Sequence, residues 1–176
     1  MHKALAIVLV AAFAASACKS GGTSGTGGGG GTNPNCPAYV VPSGTVLMSP
    51  PISFKTEVMP IFNANCGASN CHGVAVSTQG NLFLGSETAK GSDSSMVRSS
   101  LVAKNGIEMT MMPLVTAGDP AKSYLMHKLD GDQCLYDQHC MGNTCLAEMP
   151  SGLGHVLPVQ NRDTVRRWIA QGAPDN

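Results

Sequence analysis

Cys66-Gly-Ala-Ser-Asn-Cys71-His72-Gly73 is the stretch on which the reading of this chain turns. Two thiols followed directly by an imidazole form the pattern that attaches haem covalently. The thiols become thioethers to the haem vinyl groups, and the histidine is held beneath the iron. The usual spacing is C-x-x-C-H, whereas here the loop between the cysteines has four residues, Gly67 to Asn70. The same residues also suit a small disulfide loop, or half of a zinc site that still needs a fourth ligand and reduced thiols.

Upstream of this motif the chain carries an export pattern. His2 and Lys3 precede an apolar run over residues 4–15, which ends in small residues before Cys18. Such a run is a secretory signal, too short to span a membrane in the mature protein. Residues 1–17 are therefore expected to be removed. Ala15-Ser16-Ala17-Cys18 resembles a bacterial lipobox, which makes Cys18 the lipidation site; the alternative is cleavage at an A-x-A-like site. Residues 18–35 are nearly all Gly, Ser, Thr and Asn, a flexible tether with nothing to bury. A tether fits an anchored end. Lys19, directly after Cys18, is not the aspartate that resembles an inner-membrane retention signal, so the outer membrane is the expected address.

Cysteine usage agrees with an oxidising compartment. Of seven cysteines, Cys18 is assigned to lipid and Cys66 with Cys71 to haem. Cys36, Cys134, Cys140 and Cys145 remain, an even set for two disulfides with three possible connectivities. Residues 36–176 suit one domain with one core. Charged residues make up 12% of the chain, with 11 basic against 11 acidic, so there is no basic face for nucleic acid and no acidic tail. Aromatic residues are scarce at 5%, which makes for a thin core that a large flat cofactor would fill.

Four segments read as helices, for a mostly α fold. Over residues 53–66, Phe54, Val58, Ile61 and Phe62 share one face, with Pro60 predicting a kink or a late start. Residues 93–103 open on a cap-like Asp93-Ser94 and align Val97 with Leu101. Asp119-Pro120 is an N-cap followed by proline at the first helical position, opening a helix that pairs Leu125 with Leu129. Residues 161–171 align Val165, Trp168 and Ile169 before Gly172 and Pro174 stop them. Residues 39–41 and 45–47 are broken by Pro42 and Gly44 and read as extended loops. Asp130-Gly131-Asp132 begins like a calcium loop but lacks the later ligands.

Taken in order, these pieces resemble a c-type cytochrome domain of exported bacterial proteins. The resemblance rests on Val58-Met59-Pro60-Ile61-Phe62, the Cys66–His72 motif, residues 117–125, Met149-Pro150-Ser151-Gly152 and Trp168-Ile169-Ala170-Gln171-Gly172-Ala173. It covers most of residues 53–174. It implies cytochrome c-like helices around one covalent haem c, with a final helix crossing the one before the motif and with Phe62 and Trp168 as haem contacts. The four-residue loop is a departure that must bulge outwards. The cysteine-rich insert 134–145 is a second departure, expected to be a disulfide-pinned surface loop.

The resemblance also implies a distal methionine. Met149, before Pro150 and Gly152, matches its Met-Pro loop; Met112-Pro113 is the rival dipeptide. Met109 and Met111 read as packing. His155 is a further rival ligand, while His127 reads as exposed and His139 as lying among disulfide cysteines. The expected function is one-electron transfer at the cell envelope to a redox partner protein, with no enzymatic turnover. Two alternatives stand beside it: a haem enzyme or sensor with an open distal side, and a disulfide-stabilised surface lipoprotein or metal-binding module without haem.

Overall fold

A computed structural model describes residues 36–74, 79–86, 93–151 and 156–176. The signal segment 1–17, Cys18, the tether 18–35 and His155 lie outside the described residues. The fold is mostly helical. Among the described residues no strand forms, only isolated bridges such as Val102 with Val115 and Met109 with Cys140.

The first helical segment starts where Ser53 predicts it. The Ser53 hydroxyl accepts the Thr56 N–H at 3.2 Å, and Glu57 reaches back to accept the Ser53 N–H at 2.7 Å. The chain then makes a wide π turn over Phe54–Val58 before entering helix α1, Met59–Asn65. Pro60 sits at the start of α1, where its missing N–H leaves no helical bond unmade. The predicted irregularity at this proline is thus the change of helical pitch just before it. Phe54, Val58 and Phe62 are fully buried, as their spacing requires, while Ile61 is half-buried.

Helix α2, Ser94–Leu101, buries Val97 and Leu101. The Asp93 carboxylate does not cap it, and accepts the Ser86 N–H at 3.3 Å instead. The Asp119-Pro120 start is real but opens only a single tight turn, Pro120–Lys122. Ser123 breaks that turn with extended backbone, because its buried hydroxyl takes the Thr116 N–H and donates to the Asp119 carbonyl. Helix α3, Tyr124–Asp130, follows and ends at Gly131 in the left-handed conformation. Leu125 and Leu129 are both buried on it. Helix α4, Val159–Ala170, starts after Pro158 and buries Val165, Trp168 and Ile169 completely.

These helices meet in one core. Trp168 of α4 stacks on Phe54 with ring centroids 4.6 Å apart, and Phe62 meets Phe54 edge-on at 6.3 Å. The Trp168 indole donates to the Pro174 carbonyl at 2.9 Å. On the opposite face of α4, Arg162 and Arg166 converge on Asp130 at the end of α3, at 2.8 and 2.6 Å. Both guanidiniums also cover the Tyr39 ring at 4.7 Å. Asp130 and Asp132, which begin like a calcium loop, are therefore occupied by Arg162, Arg166 and His127.

Of the three connectivities open to the four cysteines, the fold adopts Cys36–Cys134 and Cys140–Cys145. The first ties the extended segment ahead of the helices to the tight helical turn Gln133–His139 that follows α3. The insert is only partly the surface loop expected of it. Cys140 and Cys145 are buried in the core, the former with its sulfur 3.5 Å from the Tyr124 hydroxyl.

Candidate functional site

The Cys66–His72 motif begins where α1 ends, its first amide donating to the Phe62 carbonyl at 2.7 Å. The loop then closes on itself. The His72 N–H donates to the Cys66 carbonyl at 3.0 Å, and the Cys71 and Gly73 amides both donate to the Ala68 carbonyl, at 2.9 and 3.0 Å. A Cβ at Gly73 would lie 1.9 Å from the Gly67 carbonyl oxygen, so this turn admits only glycine. Ser69 and Asn70 are exposed, whereas Cys66, Cys71 and His72 are buried. The extra residues of the loop thus project outwards and its chemistry-bearing ends point in.

His72 is held at two points by the segment after it. Its carbonyl accepts the Leu84 N–H at 2.9 Å, and its ring Nδ1 lies 2.9 Å from the Leu82 carbonyl oxygen. A carbonyl only accepts, so Nδ1 carries a proton, and the contact fixes the orientation of the ring.

Cys66, Cys71, His72 and Met149 all line one cavity of about 180 Å³. Its walls are apolar, from Phe62 of α1, Leu82 and Leu84, Leu114, and Leu125 and Leu129 of α3. Met149 is fixed against α3 by its N–H, which donates to the Lys128 carbonyl at 2.9 Å. The rival methionine is elsewhere: Met112 packs half-buried on the core and does not line the cavity. Met109 is a core residue as expected, but Met111 is exposed rather than packed. Trp168, expected at the cofactor, does not line the cavity either, because Phe54 and the Pro174 carbonyl claim it.

His127 is not the exposed side chain that its neighbour Lys128 suggests. Its ring packs on Tyr136 with centroids 4.5 Å apart, Nδ1 is 2.8 Å from the Asp132 carboxylate, and Nε2 is 3.1 Å from the Ala121 carbonyl. His139 is exposed beside Gln138. Among the described residues no three His, Cys, Asp or Glu side chains gather to hold a bare metal ion. A zinc site built on Cys66, Cys71 and His72 therefore lacks its further ligand there.

One corner of the cavity is polar, and nothing in the sequence singles it out. Lys128 and Glu108 pair across it at 3.1 Å, and Lys128 also donates to the Cys145 carbonyl at 2.7 Å. Burial holds the Lys128 ammonium below the usual lysine range, with Glu108 pulling partly the other way. Tyr124 completes the corner, and burial, then the Glu108 charge, push its phenol up. The second Glu108 oxygen is buried without a hydrogen-bond partner.

The two cysteines are not bonded to each other. Cys66 is a free thiol, and burial pushes it up to about 12, so it stays protonated and inert in the folded chain. Cys71 is disulfide-bonded. Compared with protein-family models, with curated proteins and with solved structures, the chain matches none.

Proposed function

We propose that this protein is a monohaem c-type cytochrome that carries one electron at a time at the cell envelope. The observation that carries the proposal is the convergence of Cys66, Cys71, His72 and Met149 on one apolar cavity, although Met149 is 77 residues from His72 in the chain. The residues fit the group in three respects. The two thiols and the imidazole line one cavity, the histidine ring is held through Nδ1 by the Leu82 carbonyl, and apart from the Lys128–Glu108 corner the walls are largely apolar.

Bound haem supplies a one-electron iron couple. Cys66 and Cys71 would hold it as thioethers, each formed by addition of S–H across a vinyl group, so Cys71 would react as a free thiol before any disulfide forms there. Because Cys66 is neutral and enclosed once folded, attachment precedes folding around the cavity. His72 would be the proximal ligand and Met149 the distal one. The Met149 thioether is a soft donor that raises the potential relative to a second histidine. Leu82, Leu84, Leu114, Leu125 and Leu129 exclude water, which further disfavours the more highly charged oxidised state. Export by residues 1–17 and lipidation at Cys18 would set the domain on its tether at the membrane, outer membrane included in the expectation above.

Absorption spectroscopy of the reduced protein, made in a host competent for haem attachment, tests this assignment. A sharp low-spin α-band is expected from wild type and from Met112→Ala, and its loss from Met149→Ala. A Met149→Ala spectrum identical to wild type would remove Met149 from the iron and favour a haem enzyme or sensor. A second reading rests on the Cys71 disulfide: an exported, disulfide-stapled binding module whose cavity takes another apolar ligand. Wild-type protein without any haem absorption supports that reading.

A further inference from the structure

Lys128 and Glu108 have hydrogen-bonding capacity that their partners in the fold do not exhaust. The Lys128 side chain is only 8% exposed, and its ammonium has three N–H donors. One meets Glu108 Oε2 at 3.1 Å and one meets the Cys145 carbonyl at 2.7 Å. The third has no acceptor among the described residues. Tyr124 does not supply one by default. Its ring lies 5.8 Å from the ammonium, and its hydroxyl donates to Cys140 Sγ at 3.5 Å, since a disulfide sulfur carries no proton. Glu108 Oε1, for its part, is buried and meets no donor. Both residues line the cavity that Cys66, Cys71 and His72 also line. One free donor thus stands beside one free acceptor in an otherwise largely apolar wall, where bare polar groups are costly.

We propose that this corner is a subsite for one carboxyl group of the cavity's occupant, held between Lys128 and Glu108 with its proton in place. The lysine and glutamate charges cancel, so the group that completes the corner is neutral. An anionic oxygen would face Glu108 Oε1, and a cation would face the ammonium. A carboxylic acid meets both demands, its C=O accepting from Lys128 and its O–H donating to Glu108. Two carboxyls this close in an apolar wall do not both ionise. The shared chemistry is a carboxyl on an apolar body, and it has two sources. With haem, which rests on the carrier reading, it is a propionic acid group, the only hydrogen-bonding substituent left once the vinyls are joined to sulfur. In a binding module without haem, it is a free apolar acid.

Infrared spectroscopy at about pH 7, where a carboxyl in water is ionised, tests the subsite. Protein shown by mass to carry covalent haem is made with that haem isotopically labelled at its propionic carboxyl carbons. Wild type should show a labelled protonated-carboxyl C=O stretch from one of the two groups. Glu108→Gln offers an amide donor where the acceptor stood, and should replace that stretch with a carboxylate one. Its fold is checked by its urea midpoint; should it unfold, the wild-type stretch decides alone. Both haem carboxyls ionised in wild type, or a protonated stretch unchanged in folded Glu108→Gln, overturns the subsite and leaves the carrier reading intact. Protein without covalent haem overturns the carrier reading instead. The full-length chain is then titrated with octanoic acid labelled at its carboxyl carbon. A protonated stretch from the bound acid, absent from the free acid at this pH, supports the subsite. No binding, or binding as the carboxylate, overturns it for the second source as well.

Discussion

His72 and His127 show how backbone carbonyls orient an imidazole. At His72 the Leu82 carbonyl lies 2.9 Å from Nδ1. At His127 both ring nitrogens face acceptors, the Asp132 carboxylate and the Ala121 carbonyl. Burial lowers the His127 affinity for a proton, but the Asp132 hydrogen bond and charge, with Ala121, outweigh it and raise the group above 6.5. Because the folded value is raised, the stability this cation contributes is complete below about pH 6.5 and is lost as pH rises through the folded value. Urea unfolding of wild type and His127→Gln from about pH 5 to about pH 9 should show a gap that is widest at the acid end and closes towards the alkaline end. A gap that widens with pH would contradict the doubly accepted imidazolium. The place of His72 was legible in its motif, whereas the partners of His127 were not, since a backbone carbonyl such as that of Ala121 leaves no signature in a residue pattern.

At the scale of elements, apolar spacing carried as far as helix faces and no farther. Val97 with Leu101, Leu125 with Leu129, and Val165 with Trp168 and Ile169 are all buried as their periodicity requires. Asp119-Pro120 marked a start correctly, but the buried Ser123 hydroxyl, satisfied by the turn itself, ended that turn after three residues. Met149 was legible in its Met-Pro context, whereas Glu108 lies in an unpatterned loop and Lys128 looks like a solvated helix residue until the fold buries it. Two substitutions test the elements directly. Gly73→Ala should cost about 3 kcal/mol, the upper range for overpacking, because the added carbon meets backbone rather than a movable side chain. Asp130→Ala should cost about 3 kcal/mol by stranding the nearly buried Arg162 without its anion and leaving Arg166 only Asp163. Both values are read from urea midpoints at constant slope, and a loss under about 1 kcal/mol at either site would show that the loop or the ion cluster relaxes freely.

At the scale of the whole molecule, the Cys36–Cys134 and Cys140–Cys145 ties do very different amounts of work. Cys36–Cys134 closes a separation of 98 residues, and Cys140–Cys145 one of 5. Chain-entropy arguments then make the long tie worth about 4.7 kcal/mol and the short one about 2 kcal/mol. Denaturant unfolding of the Ser-for-Cys pair at 36 and 134 should therefore show the larger loss; equal losses would mean that the unfolded chain is already compact. Both ties pin segments around the cavity rather than across it, which leaves the Cys66–His72 loop to be joined to whatever the cavity holds. The most direct measurement is the mass of the proteolytic peptide containing Cys66, Cys71 and His72, taken from protein made in a haem-attaching host and treated with a thiol alkylator. The account predicts a peptide heavier by one haem, with neither sulfur alkylated. A peptide with Cys66 alkylated and Cys71 recovered in a disulfide would contradict it.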